Sequence, residues 1–292
     1  MIKNILLYII VILIFVVSSV AGQTDLENNL KLILDHASTT HNDEYKKNYL
    51  KGYMQPFVTA FGTAVSGSMY HRATAKEFPQ FDLGISVVYL DLPNEALMFN
   101  DPESKSVPTV FGTKSAQNAL APGIGKSSIL VPQIQINLGL ISNFEVTGRY
   151  LNINIDEFGD ISLMGLGIKY GFEEYVPRFP IDLSVQAMYH KFVIGDWLDS
   201  GTIGMNLQLS KEFVFLPVDL YGGIGFENTS MVIKTGSIPV DDLLDVSDVS
   251  IDGDNNFRFN FGLSWTLAFF NVHADYNFGK YNSLGLGAMV VF

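Results

Sequence analysis

Phe257-Arg258-Phe259-Asn260-Phe261-Gly262-Leu263-Ser264-Trp265 sets five large apolar side chains against four small or polar ones in strict alternation. A period of two sends successive side chains to opposite faces of a strand. One face here is wide and apolar; the other is polar and partly bare. The stretch that follows repeats the pattern, with Val272, Ala274, Tyr276 and Phe278 alternating with Asn271, His273, Asp275 and Asn277. Upstream, Ile134, Ile136 and Leu138 alternate with Gln133, Gln135 and Asn137, and Ile203, Met205, Leu207 and Leu209 with Gly204, Asn206 and Gln208. Strands near 82–92, 144–155, 160–172, 181–193 and 217–227 carry it less cleanly.

A soluble sandwich also alternates, so strand length and connections decide. The repeats run to about 10–12 residues, longer than the usual globular strand of about 5–6 and matched to the roughly 9–11 that a tilted strand needs to cross a bilayer. Short turns at Ile141–Asn143, Phe213–Pro217 and Phe269–Asn271, with Glu173–Pro180 somewhat longer, are expected to alternate with polar loops at 94–127, 193–200 and 228–256, as bacterial barrels require. Leu284, Leu286, Ala288, Val290 and Phe292 share one face at the end of the sequence. This ending resembles the aromatic terminus that barrel-assembly machinery reads, which makes Phe292 the candidate assembly signal and that machinery the expected partner during insertion.

Composition agrees with a membrane setting. Of 292 residues 48% are apolar and only 16% charged, where soluble domains carry about 25% charge. Ile5 to Val17 is an apolar run behind Lys3, followed by Ser18, Ser19, Val20, Ala21 and Gly22. It is shorter than the roughly 20 residues of a helical span and reads as a secretory signal, residues 1–22, cleaved after Ala21 or Gly22. Removing it takes away one lysine and no acid, so the net charge goes from −12 to −13. That balance argues against nucleic-acid binding. The absence of cysteine excludes disulfides, thiolate metal sites and an N-terminal thioether lipid.

Residues 23–66 read as helical instead. Leu26, Leu30, Ile33 and Leu34 recur at helical spacing, and a second stretch from Asp43 aligns Tyr45, Tyr49, Leu50 and Tyr53 before Pro56 interrupts it ahead of Phe57 and Phe61. The expected architecture is an all-β membrane barrel over residues 67–292, antiparallel and of about 10–12 strands. Residues 66–75 leave the count open. The helical segment plugs the barrel or caps it from the periplasmic side.

With the apolar parity facing lipid, the lumen receives Gln135, Glu145, Arg149, Lys169, Asp182, His190, Asp219, Arg258, His273 and Asp275. Acids and bases are mixed, so no ring of one sign marks an ion-selective pore. The same face carries Gly139, Gly165, Gly167, Gly204, Gly223, Gly225, Gly262, Gly285 and Gly287. Strand glycines mark close approach by another group, and Tyr49, Tyr53, Phe57 and Phe61 of the helical segment are the expected plug residues. His273 and Asp275 share a strand face, which can set an imidazole beside a carboxylate. No partner nucleophile follows from the sequence, so no catalytic residue is named and an enzyme is not expected. Asp248, Ser250, Asp252 and Asp254, with Gly253, fit the first half of a calcium loop. The twelfth position is Phe259, inside a strand, so a solvated acidic loop competes with a calcium site; no other cofactor is indicated.

Five segments carry a resemblance: Tyr49–Phe57, Val107–Gly112, Pro132–Leu140, Phe144–Tyr150 and Gly165–Tyr170. Through them residues 43–292 resemble an uncharacterised family of Gram-negative outer-membrane β-barrel proteins, loosely similar to barrels of the fatty-acid-transporter type. The resemblance implies the fold, outer-membrane lipid as surroundings and an outer-membrane location after signal cleavage; it supplies no substrate. Two functions are expected alternatives: a channel or transporter for a small apolar or amphipathic compound, or a non-transporting scaffold that binds a partner through its loops. Mature protein should begin at Gly22 or Gln23 and fractionate with outer membranes. N-terminal sequencing that finds Met1 on inner-membrane material would contradict this.

Overall fold

The computed structural model describes residues 25–40, 42–115, 119–172, 181–213, 215–238 and 247–292. The signal expected at 1–22, the connection 173–180 and part of the acidic loop expected at 228–256, with Asp241, Asp242 and Asp245, lie outside the described residues. Two helices come first, α1 (Asp25–Thr40) and α2 (Asp43–Val65). The Asn42 side chain accepts from the Tyr45 amide at 2.9 Å and caps α2. Leu26, Leu30, Ile33 and Leu34 form one fully buried stripe of α1, which packs on α2. Pro56 does not end α2, which runs on to Val65.

The strands are β1 (Phe81–Asp91), β2 (Met98–Asn100), β3 (Ser106–Pro108), β4 (Ser128–Gly139), β5 (Phe144–Ile155), β6 (Gly159–Gly171) and β7 (Asp182–Ile194). They continue as β8 (Leu198–Glu212), β9 (Val218–Ile233), β10 (Val249–Asp252), β11 (Phe257–Leu267), β12 (Phe270–Phe278) and β13 (Ser283–Val291). Among the described residues ten of them close an antiparallel barrel, in the order β1-β4-β5-β6-β7-β8-β9-β11-β12-β13 and back to β1. Closure runs from Asp82↔Val291 to Leu90↔Ser283. At its end Phe81 and Phe292 exchange both backbone hydrogen bonds, at 3.0 and 2.9 Å, and stack their rings 4.7 Å apart. Strands β2 and β3 form a hairpin inside the loop between β1 and β4, and β10 extends the β11 side of β9.

Three expectations need correcting. The barrel wall starts at Phe81 rather than at 67, because residues 66–76 lie inside the barrel instead of in its wall and 77–80 form an exposed turn that leads into β1. The loop expected at 193–200 is the three-residue turn Gly195–Trp197, and 228–233 is the continuation of β9, paired with β8 up to Leu198↔Ile233. Polar residues there, Asp199 and Asn228 among them, sit on the outer face of strands that rise beyond the apolar belt. Finally, the helices do not cap the end where Phe81 and Phe292 meet. They lie at the opposite end, with the long β1–β4 and β9–β11 connections: the Leu26 amide bonds the Glu157 carbonyl in the β5–β6 turn at 3.1 Å, and the Val110 amide bonds the Tyr53 carbonyl at 3.1 Å.

The terminal end is tight by contrast. Ser142 and Asn143 both adopt positive φ, 58° and 61°, in the β4–β5 turn, the left-handed pair that the shortest hairpins demand. Outward side chains make an apolar belt with aromatic rims. Tyr89, Tyr150, Tyr189, Phe257 and Phe278 are exposed toward the loop end, and Phe144, Phe213, Trp265, Phe269 and Phe292 toward the terminal end. Two such girdles border the hydrocarbon layer in membrane barrels.

Inside, the barrel has two storeys. Toward the loop end the inward residues are apolar: Val88, Leu90, Ile129, Val131, Ile161, Leu163, Phe192 and Ile233 are all buried around the C-terminal half of α2. Toward the terminal end they are polar and enclose residues 66–76. A lysine at outward Phe261 should destabilise the barrel by about 2–4 kcal/mol if the site lies near the bilayer midplane, while Phe261→Leu should be close to neutral. Urea unfolding of the vesicle-folded barrel measures both. A Phe261→Lys variant as stable as its parent would contradict a lipid-facing belt.

Candidate functional site

The lower storey is a polar lock around an extended strand of chain. Arg149 on β5 donates to the carbonyls of Val65 (2.8 Å), Gly67 (3.1 Å) and Ser68, and to Gln135 at 2.8 Å. Further down, the Tyr70 hydroxyl donates to Asn260 at 2.9 Å, the Ala73 amide to Ser210 at 2.9 Å and the Thr74 hydroxyl to Asp182 at 3.0 Å. Lys76 pairs with Asp82 at 2.7 Å, and its amide donates to Glu145, which also pairs with Lys169 at 2.9 Å. The chain thus runs from the end of α2, at mid-barrel, to the bridge between Glu77 and Leu140 at the terminal end. Inward glycines make room for it. A Cβ on Gly139 would meet the Glu77 carbonyl, one on Gly223 the Tyr70 hydroxyl, and one on Gly204 the Met69 methyl.

The sequence-predicted residues fall as follows. Gln135, Glu145, Arg149, Lys169, His190, Arg258, His273 and Asp275 are buried in the interior, with Asp182 and Asp219 half-buried near the terminal end. His273 and Asp275 do not bond one another. His273 Nδ1 is 3.0 Å from Asn271 and Nε2 3.4 Å from the Ser68 hydroxyl, whereas Asp275 accepts from Asn277 and Tyr221. The plug residues divide between two places. Tyr49 and Tyr53 lie under the β1–β4 loop, where the Leu120 amide donates to the Tyr49 hydroxyl (3.0 Å) and the Tyr53 hydroxyl to the Pro122 carbonyl (2.8 Å). Phe57 and Phe61 fill the barrel mouth against Phe158 and Phe192. The gap left by the lower glycines is filled by residues 66–77 and by neighbouring side chains, not by the helices.

The candidate calcium set is not assembled. Val249–Asp252 is strand β10, whose alternation leaves Ser250 and Asp252 exposed. The Asp252 carbonyl accepts from Gln55 at 2.7 Å and the Asp254 amide donates to Thr59 at 3.1 Å, which ties this loop to α2. Among the described residues no group of three or more acids or histidines is placed to hold a metal.

The upper storey opens through the wall. Strand β4 pairs with β1 over its length, from Asp91↔Ser128 to Phe81↔Leu138, but with β5 only from Ile134↔Tyr150 to Gly139↔Glu145. The Leu140 amide bonds the Phe144 carbonyl and the Gly139 amide the Gln80 carbonyl. Antiparallel partners alternate sides, so even-numbered residues of β4 turn toward β5. The next rung on that side falls at Pro132, which has no N–H to give. Pairing stops there. Above it a cavity of about 310 Å³ reaches through the seam. Tyr89, Leu130 and Pro132 border it on the lipid side, Leu163 lines the interior, and Phe61, Phe158 and Phe192 form the floor. Lys126 and Glu157 lie at its edge, 2.8 Å apart. The hydrogen bond from Lys126 holds the Glu157 carboxyl below its ordinary range, so that carboxyl is ionised at neutral pH. An apolar slot with an ion pair at one edge fits an apolar or amphipathic molecule.

Sequence reasoning missed this slot. Its signal was the loss of alternation at one end of the strands, as in Ile129-Leu130-Val131-Pro132 and Phe192-Val193-Ile194, where both faces are apolar.

No curated protein matches the chain. Among solved structures it is similar to a loop L8 deletion mutant of OmpT, an outer membrane protein of Vibrio cholerae, at 13% identity over 55% of this chain and 53% of that one, with a TM-score of 0.28. The chain therefore spans about half the length of that protein. It is also similar to Ail, the attachment invasion locus protein of Yersinia pestis (13% identity, 73% and 97% covered, TM-score 0.27). The translocator domain of the autotransporter NalP from Neisseria meningitidis matches at 8% identity, with 89% and 98% covered and a TM-score of 0.37. These likenesses bring no activity or ligand to this chain. The fold is that of outer-membrane-type β-barrels on the strength of its own closed sheet and apolar belt. One family model spans residues 1–292, and the chain belongs to that family, the family of unknown function DUF6588.

Proposed function

We propose that the protein resides in the outer membrane of a Gram-negative bacterium, after signal cleavage, and takes up a small apolar or amphipathic compound through the open β4–β5 seam. The observation that carries this reading is the slot itself, an apolar cavity that joins the lipid-facing side of β4 to the interior where pairing fails at Pro132. It lies at the height of Tyr89 and Tyr150, the aromatic rim toward the loop end, so a compound dissolved in the outer leaflet meets the opening directly. The compound would lie along Leu130 and Leu163, with any polar head toward Lys126 and Glu157. Onward passage requires residues 66–76 to shift, because they occupy the lower lumen.

That occupancy favours a second reading, a non-transporting scaffold whose outer loops bind a partner. In that case the slot is closed by lipid and binds nothing selectively. The small fluorophore 1-N-phenylnaphthylamine separates the two when titrated into the folded protein in detergent. Binding should weaken about tenfold, or about 1.4 kcal/mol, in Leu163→Trp, which fills the slot, and remain unchanged in Leu263→Trp on the outer belt. Equal affinity in the parent and both variants would remove the slot as a binding site.

A further inference from the structure

Strand β1 begins at the terminal end of the barrel, beside Phe292, yet the helices that precede it lie at the other end. The intervening residues join the two through the lumen, held in turn by Arg149, Asn260, Ser210, Asp182 and Glu145. Short turns and the closing strands mark the periplasmic end of a bacterial barrel, which puts α1, α2 and the long loops on the outer side. We infer that the barrel exports its own N-terminal segment: residues 25–65 cross the membrane through the lumen as unfolded chain and fold on the outer face.

Three observations support the route. Residues 25–65 carry five acids (Asp25, Glu27, Asp35, Asp43, Glu44) and four lysines (Lys31, Lys46, Lys47, Lys51). Charges and unpaired backbone do not cross hydrocarbon without protein around them, so the wall's outside is closed to them. The lower lumen is lined instead with hydrogen-bonding side chains, and its glycines at 139, 204 and 223 leave room for the Glu77 backbone and for the Met69 and Tyr70 side chains. Lastly, the helices are held by outer elements. Leu26, Tyr49, Tyr53, Gln55 and Thr59 bond the β5–β6 turn, the β1–β4 loop and the β10 region. In proteins most helical stability comes from tertiary packing, so on this route they reach the loops unfolded and are trapped there by folding. Residues 66–76 are then the last part of the exported chain, left in the lumen when export ends. This inference stands apart from the reading of the seam and survives its failure.

Because the chain has no cysteine, single cysteines report topology cleanly. Asn48 and Lys51 are exposed on α2, and Glu212 is exposed at the terminal end of β8. A membrane-impermeant maleimide should label Asn48→Cys and Lys51→Cys on intact cells and Glu212→Cys only after the outer membrane is permeabilised. Labelling of the α2 positions only after permeabilisation, or of Glu212→Cys on intact cells, would overturn the inference. Passage through the lumen is tested by fusions ahead of Asp25. An unstructured tag should be displayed on the surface, whereas a tightly folded domain should stall and leave Asn48→Cys unlabelled. Equal display of both fusions would show that the segment does not cross as unfolded chain.

Discussion

Arg149 and the three backbone carbonyls it holds are the constraint on which the rest of the molecule depends. A guanidinium offers five donors in a fixed plane, and here three carbonyls and one glutamine amide take them in the middle of a membrane barrel. The bond fixes where α2 ends and where the extended chain begins. Above that level the barrel is packed as a soluble core would be, with Phe57 and Phe61 against Phe158 and Phe192. Below it, the enclosed chain meets polar partners at Tyr70, Ala73, Thr74 and Lys76. Charge-assisted hydrogen bonds contribute about 1.5–3 kcal/mol each, and losing Arg149 would also leave buried carbonyls unsatisfied. The two storeys are therefore coupled through one side chain.

The coupling gives the open seam its meaning. A cavity through the wall would be a simple leak if the lumen beneath it were empty, since a polar gap fills with water. Here the floor of the cavity is made by α2 and the barrel mouth, and residues 66–76 close the path below. A compound entering between β4 and β5 meets a dead end whose bottom is held by the Arg149 lock. The outer loops are tied to the same helix through Gln55 and Thr59, so events at the surface bear on that floor.

The alternation around Phe257–Trp265 was enough to read the barrel, its belt and the inward polar residues, because period two is a direct consequence of strand geometry. Ten strands form, at the low end of the range. Residues 66–76 were harder: an extended chain bound by scattered side chains has no period, and its partners lie on eight different strands only after the barrel closes. The glycines at 139, 204 and 223 pointed to an occupant, but glycine says only that something comes close, not which segment comes. The side on which the helices sit was likewise invisible, since helical spacing carries no information about which end of a barrel it serves. Pro132 was legible as a weak point in a strand. Which neighbour lost the hydrogen bond depended on register, and register is a property of the closed sheet.

The central claim is that the enclosed chain seals the lumen and that Arg149 keeps it there. Single-channel recording in planar bilayers tests this directly. The intact protein should be electrically silent apart from rare brief openings, and Arg149→Ala should show frequent openings as the released segment moves. Large, steady current through the intact protein would contradict the account, and so would an Arg149→Ala barrel, shown to be folded, that stays as silent as its parent.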